Sequence, residues 1–319
     1  MNIEDKDVTF VIVTYHSKNV IDECLRTLPN NSKKIIIENS GNNQIKQDLE
    51  KNFENLKVIL NDNTGMGSGS NVGLKKCTTR FAYILNPDVR FPKNSFEKVM
   101  KSIKLISDFA IVTPINSNKN FPNYSKHKKN FFAEKFFARK ISSFHDINSS
   151  IISVDKVDGF SMLLNLSKFN NDSFFDEKIF LFKESTDLCM RVIQNGHAIY
   201  VLKNVNIDHL RGQSQGFELD YDALDEISYL RGWHFFWSLY YINRKYNGRI
   251  IALIKIFYLI TKFLIKYLHL FSKKIFLKDK DLQHNYATRK LLLIRISGAI
   301  NSVLGRPSFY RIKKKLIIK

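Results

Sequence analysis

Residues 10–40 read FVIVTYHSKNVIDECLRTLPNNSKKIIIENS, and this stretch decides the fold class. The apolar, β-branched run at 10–15 is typical of a buried parallel strand, residues 19–28 have helical spacing, and residues 33–40 are a second apolar run. That second run ends in polar residues, where a parallel sheet usually places its ligand site. A strand, a helix and a strand in this order predict a right-handed βαβ unit.

The alternation of strands and helices continues along the chain. The pattern predicts a helix at 45–53, a strand at 56–62, a glycine-rich turn at 64–74 that opens a helix, and a strand at 80–88. We therefore expect an α/β fold with a doubly wound mixed sheet in residues 1–215. The basic, aromatic stretch 116–150 is predicted to be a mobile insertion over the cleft, and residues 216–319 an amphipathic helical region.

The composition narrows the class of partner. The 319 residues include 50 Lys and Arg against 30 Asp and Glu, a formal charge of +20, which predicts a polyanionic partner such as nucleic acid, anionic lipid or a diphosphate. No nucleic-acid recognition motif accompanies the charge, so nucleic-acid binding is the weaker alternative. Three scattered cysteines favour a reducing compartment over a disulfide or zinc framework. An acidic N-terminus that leads directly into a strand predicts no signal peptide and a cytoplasmic protein.

Acidic residues and one histidine mark the candidate site. Asp176, Glu177, Glu184 and Asp187 fall within twelve residues, and His209 comes after a further predicted strand. Carboxylates that lead into a helix, followed by an imidazole, favour a site that activates a hydroxyl and holds a divalent cation beside a diphosphate. The tripeptide at 86–88, Asn-Pro-Asp, comes directly after an apolar run and supplies another acidic ligand. Together these features predict an enzyme that uses a nucleotide sugar.

The glycine-rich run has two interpretations. Its glycines at 65, 67, 69 and 73, with Asn71, are similar to a phosphate cradle at the start of a helix. The run comes after the third strand and lacks Gly-Lys-Ser/Thr, so it is neither a dinucleotide fingerprint nor a P-loop. A tight turn that needs glycine for backbone reasons is the alternative, and the sequence leaves both open.

In this order, the segments resemble family 2 glycosyltransferases of the GT-A fold, especially their bacterial rhamnosyltransferase-like branch. The family's Thr-Tyr-Asn after the first strand corresponds to Thr14-Tyr15-His16, and its Asp-Asn-x-Ser after the second to Glu38-Asn39-Ser40. Its Asn/Gly turn corresponds to Asn63, Gly65, Asn71 and Gly73, and its degraded Asp-x-Asp to Asn86-Pro87-Asp88.

The second half of the resemblance runs from the acidic cluster to the aromatic motif at 231–238. The family's Phe-Asp-Glu matches residues 175–177, and its Glu-Asp-x-Asp-Leu-Cys-x-Arg matches 184–191. Its His-x-x-Gly-x-Ser matches His209, Gly212 and Ser214, and the branch's Arg-Gly-Trp-His-x-x-Trp-Ser matches 231–238. The resemblance spans residues 8 to 248.

The resemblance implies an inverting, metal-dependent glycosyltransferase. The nucleotide sugar would contact Thr14, Tyr15, Glu38, Asn39, Gly65, Asn71, Asn86 and Asp88. Mg²⁺ or Mn²⁺ would be held by Asp88 and His209, and the acceptor would lie beside Asp158 and Gly159. Among donors dTDP-rhamnose is favoured and UDP-sugars stay open. The implied acceptor is a polyprenyl-diphosphate-linked oligosaccharide for surface polysaccharide such as O-antigen or capsule.

One position departs from the family. Ser185 replaces the second carboxylate of the family's Glu-Asp pair, which usually serves as the catalytic base. Because a serine accepts no proton at neutral pH without its own base, the role must move or activity falls, by about 10²–10⁴-fold. Glu184 is the nearest replacement and Asp187 the second, although Asp187 also fits a helix-dipole role. A catalytically impaired scaffold of a polysaccharide assembly complex is therefore an alternative.

Each remaining site residue also has a structural interpretation. Asp88 fits a cap after Pro87, His209 a buried core histidine, and Asp158 a turn before glycine. Glu38 is one methylene longer than the family's Asp, so its contact with a nucleobase is open. Arg211 is equally compatible with a diphosphate contact and with a solvated surface.

Residues 250–278 favour a membrane surface. They are strongly apolar, but lysines at 255, 262, 266 and 273 recur on one helical face, with His269 beside them. A spanning helix needs about 18 residues with few charges. We therefore expect an amphipathic helix lying on an anionic membrane, on the inner face of the cell membrane. Packing on the catalytic domain is the alternative. The aromatic cluster at 233–241 fits an interfacial belt or a sealed domain junction.

Overall fold

The computed structural model describes residues 3–126, 144–169, 174–211, 221–277 and 289–310. These residues form two compact units. The first contains the described residues up to 177 and those from 184 to 211, and the second contains 178–183, 221–277 and 289–310. Residues 178–183, which fall inside the predicted domain 1–215, thus belong with the helices of the second unit. Within the predicted insertion 116–150, residues 127–143 lie outside the part of the chain that the structure describes.

Four parallel strands begin the sheet of the first unit, in the spatial order β3-β2-β1-β4. Their Val- and Ile-rich sequences suit strands covered on both faces, and every residue of β1 and β4 is buried. Helices connect successive strands, as predicted. The elements are β1 (Val8–Thr14), α1 (Lys18–Arg26), β2 (Lys33–Glu38), α2 (Asn43–Asn52), β3 (Leu56–Leu60), α3 (Met66–Leu74) and β4 (Phe81–Leu85).

Antiparallel pairing enters beyond β4, and the spatial order continues β4-β10-β6-β11-β5. β10 runs antiparallel to both neighbours, β6 and β11 are parallel, and β8 pairs with β11 while β7 pairs with β9. The predicted α/β fold with a doubly wound mixed sheet is confirmed. The elements are β5 (Val89–Arg90), α4 (Ser95–Ile103), β6 (Ile111–Asn116), β7 (Tyr124–Ser125), β8 (Ile151–Ser153), β9 (Lys156–Val157), β10 (Ser161–Asn165), α5 (Glu184–Gln194) and β11 (Ile199–His209).

The glycine-rich run is mostly helix, which corrects its prediction as a turn. Only Thr64 and Gly65 precede α3, and Gly65 takes the N-cap position with a φ of 105° that glycine adopts without strain. A Cβ on Gly73 would lie 2.5 Å from Val11 Cγ1, and one on Gly69 would lie 3.1 Å from a Cγ of Val13. The glycines therefore let α3 pack closely against β1.

The second unit consists of α6 (Tyr221–Leu277) and α7 (Arg289–Val303). Gly248, with φ 82° and ψ 168°, breaks α6 into two halves. The halves fold back on each other, since the rings of Phe236 and Phe263 pack with centroids 5.7 Å apart and Lys255 Nζ donates to Asn243 Oδ1 at 2.7 Å. In the described parts of the chain, no helix combines the length and the hydropathy that crossing a bilayer requires.

The aromatic motif at 231–238 forms the interior of this second unit. Trp233, Phe236 and Trp237 are almost fully buried. Trp237 Nε1 donates to Arg306 O at 3.0 Å, and both ring nitrogens of the buried His234 have partners, Ser308 Oγ and Tyr310 O, each at 2.8 Å. The motif therefore joins α6 to the segment after α7, so these side chains are not an exposed interfacial belt.

Candidate active site

The candidate site lies at the carboxyl ends of β1, β2 and β4. The chain runs from β1 to β2 and β3 on one side, then returns to place β4 on the other side of β1. Such a switch point leaves a crevice outside the strand ends, where open α/β sheets bind ligands. Thr14 and Glu38 are register partners at this edge. His16 comes next with φ 54°, and partial burial lowers its pKa although nearby Glu38 opposes the shift.

Glu38 shapes the loop after β2. Its side chain is fully buried, and its carboxylate accepts hydrogen bonds from Ser40 N at 3.1 Å, Ser40 Oγ at 2.7 Å and Asn42 N at 2.9 Å. Asn42 in turn caps α2 by accepting from the backbone of Gln44 and Ile45. The predicted contact of Glu38 with a nucleobase stays a prediction, and the geometry shows that the carboxylate also orders this loop.

Asn39 and Asn71 use their amides to join neighbouring segments. Asn39 Oδ1 accepts from Asn61 Nδ2 at 2.8 Å, and Asn39 Nδ2 donates to Gly65 O at 3.4 Å. Asn71 Oδ1 accepts from Phe175 N, and Asn71 Nδ2 donates to Phe175 O and to Glu177 Oε1, all at 2.9 Å. Asn71 therefore attaches the segment before α5 to α3, and contact with the nucleotide sugar stays a prediction for both residues.

Asp88 and His209 meet at the edge where β5 pairs with the end of β11. His209 is the register partner of Val89, and Leu210 N donates to Asp88 O at 3.0 Å, so backbone bonds fix both residues. His209 Nε2 lies 3.4 Å from Asp88 Oδ1, and their side chains are 13% and 1% exposed. The sequence-predicted pair is thus brought together.

Polar atoms at this edge are buried without hydrogen-bond partners. Among the described residues, Asp88 Oδ1, His209 Nδ1 and Asn86 Oδ1 have none, and the 3.4 Å separation between Asp88 and His209 meets no hydrogen-bond geometry. Buried polar atoms are normally hydrogen-bonded, so a group of orphans at one edge fits a place that holds a water, an ion or a ligand. No set of three or more His, Cys, Asp or Glu suited to a metal occurs in the described part of the chain. A cation here would therefore need ligands beyond the two predicted residues.

The turn at 158–160 connects the parts of the site. Phe160 stacks on the His209 ring at 4.1 Å and 17°, and Phe160 O accepts from Asn86 N at 2.9 Å. A Cβ on Gly159 would lie 3.3 Å from Ser185 Cβ, so Ser185 packs against the turn. Phe160 was not among the predicted residues, although it comes directly after the Asp158-Gly159 pair. Its stacking orients the imidazole.

Glu184 and Ser185 face different neighbours. A Cβ on Gly67 would lie 3.4 Å from Glu184 Cγ, so the Glu184 side chain extends along the first turn of α3. Both residues are half-buried at the start of α5. Glu184 therefore adjoins the helix start that was predicted to hold phosphate, while Ser185 adjoins the turn predicted to face the acceptor.

Asp187 is fully buried beneath this surface. Its Oδ2 accepts from Arg191 Nε at 2.8 Å, and Arg191 Nη2 also donates to Phe174 O. The pair therefore connects α5 to the segment at 174–177. A carboxylate that is fully buried and ion-paired suits this structural role better than proton transfer with a substrate.

Known proteins share this sequence pattern and fold. Residues 9–164 match the profile of the family described as Glycosyl transferase family 2. The chain matches none of the curated proteins significantly. The mannosyltransferase PcManGT from Pyrobaculum calidifontis, solved with GDP-Man and Mn²⁺, superposes with a TM-score of 0.51 at 11% identity, over 94% of this chain and 87% of that chain.

TarS from S. aureus is a second similar structure. Its fragment 1–349 in complex with UDP-GlcNAc has a TM-score of 0.48 at 15% identity, over 98% of this chain and 96% of that chain. Against a longer TarS structure the TM-score is 0.47, and the match covers 39% of that chain. Residues 9–164 thus match glycosyl transferase family 2, on the GT-A fold that the chain shares with a nucleotide-sugar-bound mannosyltransferase.

Proposed function

We propose that the chain is an inverting glycosyltransferase that moves a sugar from a nucleoside-diphosphate sugar to an acceptor hydroxyl. The observation that carries this proposal is the group of buried, unpartnered polar atoms on Asn86, Asp88 and His209 at the switch point. A cation bound with a diphosphate would give Asp88 Oδ1, which lies 3.4 Å from His209 Nε2, the partner that it lacks. The family match over residues 9–164 supports the same reaction class.

The cation is Mg²⁺ or Mn²⁺ in this proposal. A carboxylate oxygen, an amide oxygen and an imidazole are donors that suit Mn²⁺, and oxygen donors suit Mg²⁺. Asp88 and His209 would hold it, with the donor's diphosphate completing the set. When bound, the cation neutralises the charge that develops on the leaving diphosphate. PcManGT, which shares the fold, was solved with Mn²⁺.

Glu184 is the proposed catalytic base. It is half-buried at the start of α5, beside the first turn of α3. It would accept the proton of the acceptor hydroxyl while that oxygen attacks the anomeric carbon and the nucleoside diphosphate leaves. Ser185, which packs against Gly159, would then form one wall of the acceptor site. If Glu184 does not fill this role, the impaired-scaffold alternative applies.

By resemblance, dTDP-rhamnose is the favoured donor, and UDP-sugars stay open. The proposed acceptor is a polyprenyl-diphosphate-linked oligosaccharide of a surface polysaccharide. Such a lipid-linked acceptor requires the enzyme to work at a membrane. We therefore propose a cytoplasmic protein that associates peripherally with the inner face of the cell membrane.

The second half of α6 supports this membrane contact. Large apolar side chains are exposed on it, including Ile254 at 62% and Phe257 at 71%. At about 100° per residue they fall on one face of the helix. We call this face the apolar stripe, and its members are Ile250, Ile254, Phe257, Tyr258, Ile265, Leu268 and Phe271.

The lysines lie beside the apolar stripe. On the same helical wheel, Lys255, Lys262 and Lys266 fall between the apolar stripe and the face that packs inside the unit through Ala252 and Ile256. Apolar side chains flanked by lysines suit insertion below anionic headgroups, with the ammonium groups at headgroup level. A formal charge of +20 supports an anionic surface over a second protein copy of equal charge.

Substitution of the two proposed cation ligands tests the catalytic site. Asp88→Asn and His209→Ala are each expected to lower sugar transfer by about 10²-fold or more, because metal-assisted charge stabilisation supplies several kcal/mol. The assay measures release of nucleoside diphosphate with Mn²⁺. Asp208→Asn is the matched control, because Asp208 pairs across from Arg90 on the same strand edge and should keep near-normal turnover. Full activity of His209→Ala with unchanged metal dependence would refute the assignment.

A further inference from the structure

A polar cavity of about 400 Å³ opens beside the turn at 158–160. Its walls come from the loop at 120–125, from Lys156 and Asp158, and from Arg211. Strand β7 pairs with β9, and Asp158 N donates to Asn123 O at 2.8 Å, so backbone bonds hold the walls together. The family resemblance places an acceptor beside Asp158 and Gly159, and it assigns no ligand to the other residues that line this cavity.

Arg211 is positioned in the cavity by an aromatic ring. Its guanidinium carbon lies 4.2 Å from the ring centroid of Phe121. Across the described ranges, no carboxylate comes within ion-pair distance of this guanidinium. A guanidinium over an aromatic ring keeps N–H groups available at its edge, in the planar fork that matches two oxygens of a phosphate or carboxylate.

The remaining lining gives the cavity a net positive charge and a flat wall. Lys156 Nζ lies 3.7 Å from Asp158 Oδ1, and the two side chains are 32% and 38% exposed. With Arg211 added, two cations face one carboxylate, which leaves an excess of one positive charge. Phe121 is 44% exposed and Tyr124 also lines the cavity, so a ring or chain attached to an anion finds an apolar surface.

We infer that this cavity binds a phosphoryl group carried by the acceptor, with Arg211 and Lys156 on its oxygens and Phe121 and Tyr124 against the attached sugar or prenyl group. The inference rests on the proposed function and adds to it the residues that would bind the phosphate of the acceptor. The position supports it, because Asp158 adjoins Gly159, which packs against Ser185, and Arg211 is two residues beyond His209. A phosphate bound here would lie on the acceptor side of the site.

The test observes Arg211 directly in the full-length chain. The Arg211 Nε–Hε signal, assigned by its loss in Arg211→Lys, is monitored by NMR during titration with glucose 1-phosphate and, separately, with farnesyl phosphate. A saturable shift is expected with at least one phosphate ester, and none with methyl glucoside or farnesol. Lys156→Gln should weaken that binding about fivefold to tenfold, the size of one charge-assisted hydrogen bond. Lys119→Gln, an exposed lysine that does not line the cavity, should change it less than about twofold.

The outcomes distinguish a lipid phosphate, a sugar phosphate and a nucleotide as the ligand of this cavity. Tighter binding of farnesyl phosphate identifies a lipid phosphate as the occupant, and tighter binding of glucose 1-phosphate identifies a sugar phosphate. The inference is overturned if no phosphate ester shifts the signal, if Lys119→Gln weakens binding as much as Lys156→Gln, or if UDP with Mn²⁺ shifts the signal at lower concentration than either ester. Because the NMR signal reports on Arg211 alone, the absence of a shift would leave metal-dependent nucleotide-sugar binding at Asp88 unaffected. Likewise, the absence of nucleotide-sugar binding at Asp88 would not alter the result at Arg211.

Discussion

Glu184 and Ser185 are adjacent in sequence, yet their side chains touch different parts of the site. Glu184 lies along the first turn of α3 at Gly67, whereas Ser185 packs against Gly159. The single carboxylate at this pair is therefore on the side of the helix start that adjoins the proposed donor site. Asp187 is buried with Arg191 and already occupied. Of the three predicted catalytic residues, we therefore propose Glu184, half-buried at the start of α5, as the base.

Conservative substitutions at this pair test the base. Glu184→Gln preserves size and removes the basic oxygen, so turnover should fall by about 10²-fold or more while donor affinity changes little. Ser185→Asp should leave turnover flat or lower it, because it adds a second negative charge beside a positioned base. Single-turnover kinetics with the donor separates the chemical step from binding.

Asp187→Asn is the matched carboxylate-to-amide control for Glu184→Gln. It should lower the free energy of unfolding by about 3 kcal/mol, because it leaves Arg191 without its buried partner, while turnover of the folded fraction persists. Near-normal turnover of Glu184→Gln, or a large gain in Ser185→Asp, would show that Glu184 is not the base.

The residues at the strand ends and the pairing of Asp88 with His209 could be predicted from sequence, but the hydrogen-bond partners of Asn71 and Glu38 could not. Asp88 and His209 each lie at the end of an apolar strand, and strand ends of a doubly wound sheet converge, so their meeting was predictable. Asn71 instead forms a hydrogen bond with the backbone of Phe175, 104 residues away in sequence. The carboxylate of Glu38 accepts hydrogen bonds from its own loop. A motif indicates that such residues matter, but long-range hydrogen bonds decide how.

At the scale of elements, glycine sets how closely helices approach their neighbours. A Cβ on Gly298 of α7 would lie 2.3 Å from Trp233 O, a backbone atom of α6 that cannot move without its helix. A Cβ on Gly232 of α6 would instead meet the flexible ends of Leu291 at 3.0 Å and Arg295 at 3.3 Å. The crossing of α6 and α7 therefore depends on Gly298 and tolerates change at Gly232.

Gly298→Ala should destabilise the second unit by about 3 kcal/mol, since an added methyl in a close-packed contact forces the helices apart. Gly232→Ala is the matched control and should change stability by less than about 1 kcal/mol, because alanine's helix propensity offsets a small clash. Tryptophan fluorescence during urea unfolding reports on this unit alone, since both tryptophans of the chain, at 233 and 237, lie in it. Equal midpoints for the two variants would contradict this account of the crossing.

Hydrophobic periodicity predicted the order of strands and helices correctly, but the glycine-rich run was predicted as a turn and is mostly a helix. The run at 64–74 looked like a turn because glycine disfavours helices, yet most of it is α3. The reason is packing: Gly73 has no room for a Cβ beside Val11. Local helix propensity takes no account of packing against Val11, so only the tertiary structure shows why the helix has glycines.

At the scale of the whole chain, charge and exposed apolar surface occur together in the second unit. The sequence predicted lysines on one helical face, and the structure adds that the apolar stripe is exposed beside them. Sequence could not show which apolar face is covered, because the packed face and the apolar stripe are equally hydrophobic.

Replacing Lys262, Lys266 and Lys273 by Glu, which leaves the Lys255–Asn243 hydrogen bond intact, should lower binding to anionic vesicles by about 100-fold or more, since each basic residue near such a surface contributes roughly 1 kcal/mol. Ile254→Ser with Phe257→Ser should weaken binding that persists at high salt. Glutamate at three exposed lysines around α4, Lys93, Lys98 and Lys101, is the matched control for net charge. Vesicle sedimentation measures all three. If the α4 variant loses vesicle binding equally, or if neither α6 variant loses any, the second half of α6 is not the membrane-binding surface.

We propose that the edge formed by Asp88 and His209 binds a nucleoside-diphosphate sugar together with a divalent cation. Such binding is measured by the thermal stability of the wild type and of Asp88→Asn across a panel of nucleotide sugars, with Mn²⁺ and with a chelator. At about 100 times its dissociation constant, a ligand adds roughly 2.7 kcal/mol to the stability of the state that binds it. We expect at least one nucleotide sugar to stabilise the wild type with Mn²⁺, and the chelator or Asp88→Asn to remove the effect. Stabilisation that survives both, or a panel in which no nucleotide sugar raises the melting temperature, would contradict it.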